Sequence, residues 1–169
     1  MLTIEVSEAL NDQVNAEFWS AYLYLSMYCH FTQKGLKGIA HWFKVQYDEE
    51  NLHAEDLIRY IHARGGEVVL RPIAEVKQSW DSAIEAFSDT LTHECAVTKR
   101  IYNLYALAEE KKDYATRQKL NWFVAEQVEE EDNVRDILDR LRLIGEDGVG
   151  LLQLDRELAA RGKAQGPQA

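Results

Sequence analysis

Four stretches of this chain repeat apolar residues at spacings of three and four, the mark of one helical face, and each repeat persists for about six turns. The first runs Leu10, Val14, Glu17, Ala21, Tyr24, Tyr28, Phe31 and stops near Gly35. The second runs Ile39, Phe43, Gln46, Glu50, His53, Leu57, Tyr60 and stops at Gly65 and Gly66. The third follows Ser79, a good N-cap residue, with Ile84, Phe87, Leu91, Glu94, Thr98, Ile101, Tyr105 and Ala108. The fourth follows Asp113 with Leu120, Phe123, Gln127, Glu130, Val134, Ile137, Leu141 and Ile144. Nine Gly and two Pro in 169 residues leave few turns. Long amphipathic helices bury their stripes most simply against one another, so the expected fold class is all-α, a four-helix bundle. Leu151, Leu152, Leu154 and Leu158 predict a short fifth helix over about 149–161. Residues 1–161 are expected to form a single domain, and 162–169, without core-forming side chains, a mobile tail.

The connections constrain the topology. Short joints around 35–38 and 111–113 make antiparallel neighbours of helices one and two, and of three and four. The segment 66–80 is different. Its fifteen residues reach ~50 Å when extended, whereas a 28-residue helix is only ~42 Å long. Pro72 and the extended-favouring Val68, Val69 and Leu70 oppose a helix there. The segment therefore reads as a long crossover between helices two and three.

Composition narrows the function classes. Asp and Glu number 29 against 19 Lys and Arg, a formal charge of −10. That balance lacks the basic footprint of a nucleic-acid binder. No apolar run approaches the ~20 residues of a membrane span, and the first residues lack the pattern of a secretory leader. No nucleic-acid partner and no membrane are expected, and the expected location is the cytoplasm. Cys29 and Cys95 are too few for a disulfide scaffold. They read as small buried side chains in a reducing compartment.

Each stripe contains a residue that does not belong in a core. Glu17, Glu50, Glu94 and Glu130 have apolar neighbours one turn away on both sides. Glu17 lies 19 residues before Leu36 and His53 lies 17 after it. At ~1.5 Å per residue their heights in the hairpin differ by only ~3 Å. Glu94 and Glu130 each lie 18 residues from Lys112. All sit near mid-helix, which predicts one carboxylate cluster at the centre of the bundle. Any one of these Glu is most simply read as a slightly rotated helix face in water. Four together, beside Gln127 and His53, outweigh that reading. Buried carboxylates repel unless protonated or neutralised, and bound cations are the economical answer. Glu50 and His53, three residues apart, share a face and can grip one ion. Five oxygen-bearing ligands and one imidazole suit iron or manganese, though ligand type alone does not separate them from zinc.

Glu49, Glu126 and Glu129 form a second carboxylate row beside Glu50 and Glu130. Glu131 and Asp132 read as an ordinary solvated face, whereas Glu126, Glu129 and Glu130 share a side of helix four and can hold an additional ion. Tyr24 reads first as core packing, but its buried hydroxyl needs a partner such as a metal-bound carboxylate or water. Trp122 reads as packing.

With these residues in view, the sequence resembles the bacterial non-haem ferritins. The matching residues are Glu17 and Tyr24 in helix one, Glu49-Glu50-Asn51-Leu52-His53 in helix two, Glu94 in helix three, and Glu126, Gln127, Glu129 and Glu130 in helix four. The resemblance covers all five helices and the crossover. It implies a ferritin-like bundle assembled as a hollow homo-oligomeric shell of twenty-four subunits. Such a shell is a ferroxidase: it oxidises Fe(II) with dioxygen or peroxide and stores a hydrated ferric oxide. By the same resemblance Glu17, Glu50 and His53 bind a first iron. Glu50 bridges to a second, held with Glu94 and Glu130, and Gln127 and Tyr24 lie close to this di-iron centre. Glu49, Glu126, Glu129 and Glu130 match a third iron site.

Departures from related families sharpen the expectation. Haem-binding relatives carry Met among the positions 49–55; here both Met, Met1 and Met27, lie elsewhere, so no haem is expected. Related di-iron bundles repeat Glu-x-x-His on helix four, where this chain has Gln127 and Glu130. No Cys-x-x-Cys pair is present for a rubrerythrin-like electron-transfer module. Two rival classes are a di-iron enzyme acting on another substrate without storage, and a metal-free structural bundle.

Overall fold

The computed structural model describes residues 2–164 and 166. It contains α1 (Ile4–Gln33), α2 (Lys37–Ala63), α3 (Ala83–Glu110), α4 (Tyr114–Ile144) and α5 (Gly148–Leu158). The side chain of Thr3 accepts from Val6 N to start α1, and Asp113 accepts from Thr116 N to start α4. Gly35 and Gly65, both with positive φ, follow the ends of α1 and α2. The third helix begins three residues later than Ser79 predicts. Trp80 is buried against the core, the chain bends only after it at 81–82, and Ser82 caps α3 by accepting from Glu85 N.

Side-chain contacts fix the path of the crossover. Asn11 grips it twice, donating to Glu67 O at 3.0 Å and accepting from Val69 N at 2.7 Å. Farther along α1, Ser26 donates to Lys77 O at 2.7 Å, and His30 meets the ring of Trp80. The segment thus runs beside α1 from its start to its end, so α3 begins where α1 finishes and runs antiparallel to it. At the opposite end Arg64 pairs with Asp113 at 2.9 Å and joins the end of α2 to the start of α4.

The core is split. One apolar cluster holds Met27, Phe31, Phe43, Phe87, Ile137 and Leu141; the other holds Leu10, Val14, Leu57, Ile101, Leu120 and Phe123. Along every long helix polar residues are buried between the two. They are Glu17 and Ser20 on α1, Gln46, Glu50 and His53 on α2, Thr90 and Glu94 on α3, and Gln127 and Glu130 on α4.

The short helix α5 buries Leu154 and Leu158 and packs mainly on α2. A Cβ on Gly38 would lie 1.6 Å from Asp155 O, so only glycine admits this approach. Asp155 Oδ1 also accepts from Ile39 N at 2.8 Å, supplying an acidic partner to the first turn of α2. Among the described residues no helix is long and apolar enough to cross a membrane. The tail expected over 162–169 falls partly outside the described residues, at 165 and 167–169. The expectation for the cysteines was wrong. Cys29 is exposed and Cys95 half-buried, because both lie off the inward stripes of their helices.

Candidate metal centre

Six side chains singled out by periodicity meet in the polar layer: Glu17, Glu50, His53, Glu94, Gln127 and Glu130 are each at most 4% exposed. Glu17, Glu50 and His53 each offer a ligand atom, and these atoms lie within 4.8 Å of one another. Glu50 Oε2 stands 3.5 Å from His53 Nδ1. Among the described residues neither Glu50 Oε2 nor His53 Nε2 has a hydrogen-bond partner. Leaving buried carboxylate and imidazole atoms unsatisfied is costly, and a cation drawn into the group removes that cost. Anionic oxygens with a single imidazole are the donor set that iron accepts.

The remaining ligand candidates are held from outside the cluster. Tyr24 donates its hydroxyl to Glu94 Oε1, the partner that this buried phenol requires. Gln127 donates to Glu94 Oε2 at 3.1 Å and reaches Thr98 at 3.3 Å. Gln46 donates to Glu130 Oε2 at 3.0 Å, and Gln13 to Glu17 Oε1 at 2.8 Å. Periodicity puts Gln46 in its stripe without a role, and Gln13 is not among the stripe residues. Their positions four residues before Glu50 and Glu17, on the same face, are the signal that identifies them.

Electrostatics follow from this crowding. Burial, and then the charges of Glu17 and Glu94, push Glu50 well above the usual carboxylate range. Glu94 rises to about 7, chiefly through burial, against the hydrogen bonds from Tyr24 and Gln127. Burial and the charge of Glu94 also raise Glu130. Burial lowers His53, which keeps its imidazole neutral and its lone pair available. The ring of His53 is wedged edge-on against Trp122 and Phe123, at 5.3 and 5.8 Å between centroids. Trp122 therefore packs, as expected, and what it packs is a candidate ligand.

The second carboxylate row lines a cavity of about 500 Å³, with Glu49, Glu126, Glu129, Trp122 and Arg161 in its wall. Glu49 is buried and pairs with Arg161 at 2.6 Å. Glu126 is raised to about 7 by burial, then by the charges of Glu129 and Glu49. Glu131 departs from its expected solvated role. It accepts from Thr98 at 2.7 Å and pairs with Arg135, which draws it against α3.

Comparison with known proteins agrees with this geometry. Residues 7–144 match the ferritin-like domain model. A bacterial non-heme ferritin of Staphylococcus aureus (strain USA300) is 39% identical over 161 residues, covering 95% of this chain and 97% of that protein. The protein of the same description from Staphylococcus haemolyticus is 40% identical over the same coverage. Among solved structures, an open pore ferritin from the hyperthermophilic archaeon Archaeoglobus fulgidus superimposes with a TM-score of 0.95 at 48% identity, over 96% of this chain and all of that one.

Proposed function

This chain belongs to the ferritin family, and on that premise we propose that it stores iron. It takes up Fe(II), oxidises it at the buried carboxylate layer and holds the ferric product as a hydrated oxide inside a shell of twenty-four copies. The observation that carries the reading is the layer itself. Four helices each give up apolar packing at the same level to converge carboxylates, one imidazole and amides between two otherwise complete hydrophobic clusters. A metal-free scaffold gains nothing from that sacrifice.

The residues divide the work. Glu17, Glu50 and His53 receive one Fe(II); Glu50, Glu94 and Glu130, with Gln127 beside them, receive the second. Protons held by Glu50, Glu94 and Glu130 leave as the cations enter, so loading releases acid. Each Fe(II) gives one electron to dioxygen or peroxide. The anionic oxygens stabilise the higher charge that results, and a set with only one nitrogen ligand leaves the ferric ion free to move on. Tyr24 holds Glu94 in place through the hydroxyl. Glu49, Glu126 and Glu129 form an adjoining position for a third ion, next to Glu130.

Aerobic Fe(II) loading followed by iron analysis of the purified shell tests the reading. Hundreds of irons per assembly are expected. About two per subunit would favour a di-iron enzyme without storage, and none would favour a structural bundle.

A further inference from the structure

The second carboxylate row already has a cation in it. Past the end of α5 the chain turns back over α2, and the backbone oxygen of Arg161 meets His41 Nε2 at 3.0 Å. The guanidinium lies over the ring of Trp42, 4.6 Å from its centroid, and donates from Nη1 to Trp42 O at 3.3 Å. Its Nη2 donates to Glu49 Oε2 at 2.6 Å. Arg161 is thus strapped along α2 from Trp42 to Glu49, with its charge in the wall of the cavity that Glu126 and Glu129 also line. Lys163 lines the same cavity two residues later.

We propose that Arg161 is a tethered counter-ion that competes with iron for the second carboxylate row, so that a third ion binds there only by displacing the guanidinium from Glu49. The inference rests on reading that row as an ion position. A guanidinium keeps its charge at any physiological pH, so it cannot make room by losing a proton; it has to swing away. A planar fork stacked on an indole is a defined resting place, to which it returns when the metal leaves. Its charge also reaches deeper, lowering both Glu126 and Glu130 against the burial that raises them. The consequence is a third position with weakened affinity. An ion there is passed on rather than kept, while Glu17, Glu50 and His53, beyond the guanidinium's contacts, bind undiminished.

The test is anaerobic calorimetric titration of the metal-free full-length protein with Fe(II), comparing wild type, Arg161→Gln, Arg161→Lys and the double variant Arg161→Gln with Glu129→Gln. Removing one charge-assisted hydrogen bond from Glu49 should tighten the third, weakest ion by about tenfold in Arg161→Gln, with the first ion, at Glu17, Glu50 and His53, unchanged. Arg161→Lys, which keeps the charge, should stay nearer to wild type than Gln does. The double variant should lose the third ion. A third ion bound equally or less tightly in Arg161→Gln overturns the competition. Only two ions in wild type and in every variant would refute the ion position itself, and the proposal with it.

Discussion

Gln13 donates from Nε2 to Glu17 Oε1 at 2.8 Å, one helical turn away, with both side chains buried. The far end of the same amide accepts from Arg100 Nε at 3.4 Å, and Arg100 also holds Asp12 O at 2.9 Å. A guanidinium on α3 thereby fixes which way the amide faces, and the amide fixes the carboxylate. Gln13→Leu keeps the volume but removes the donor from a buried acceptor, at a cost of about 1–3 kcal/mol. Thermal unfolding of the metal-free variant should show that loss, and anaerobic Fe(II) titration should show a weakened first ion. An unchanged first-ion affinity would remove Gln13 from the site.

Glu50 stands between Glu17, Glu94 and Glu130 and feels the charge of all three. Glu50→Ala should therefore slow Fe(II) oxidation in stopped-flow more than loss of any other single ligand. Its metal-free form should be no less stable than wild type, because deletion relieves repulsion within the layer. Rapid oxidation in this variant would refute the bridging assignment.

Helical periodicity made the layer legible. A run such as Val14, Glu17, Ala21 states that a carboxylate faces inward, and four such statements, all near mid-helix, place the carboxylates together. The same logic lost what a stripe does not label. Gln13 lies on the face of Glu17, one turn before it, but its role shows only where its amide meets both Glu17 and Arg100. Ser79 and Ser82 are equally good caps, and only the burial of Trp80 chooses between them. For Cys29 and Cys95 position on the helix, off the inward stripe, outweighs the residue type's habit of burial. Arg161 was out of reach altogether, since its path over Trp42 depends on how α5 docks at Gly38.

Within one subunit the end of α4 and α5 leave apolar surface uncovered. Leu143 is 89% exposed, Val149 76% and Leu152 54%. In a shell of identical copies such surface is where neighbours meet. Leu152→Glu should reduce assembly in size-exclusion chromatography and leave the helical signal of the subunit unchanged, because the side chains that α5 buries on its own bundle are Leu154 and Leu158. Wild-type shells of normal thermal stability would show that this face plays no part.

The raised carboxylates also give the metal-free protein a pH signature. Glu94 binds its proton up to about pH 7 in the folded state, whereas its ordinary value is 4.5. The folded state therefore holds more protons than the unfolded chain between these values, and stability falls as pH rises through that window. Glu50 and Glu130 act in the same direction. His93 opposes them. Burial lowers it to about 4, so its contribution is complete above 6.5 and is lost as pH falls toward 4. Comparing variants separates the two. Chemical denaturation of metal-free wild type and Glu94→Gln across pH 4.5 to 8 should show the wild type losing stability relative to the variant as pH rises, because neutral Gln carries no proton to lose. Adding a redox-inert divalent cation should abolish the difference in slope at the alkaline end, where bound metal takes over the proton's task of neutralising the layer. Parallel pH profiles for the two metal-free proteins would mean that Glu94 is ionised throughout, with its charge already balanced by Tyr24 and Gln127.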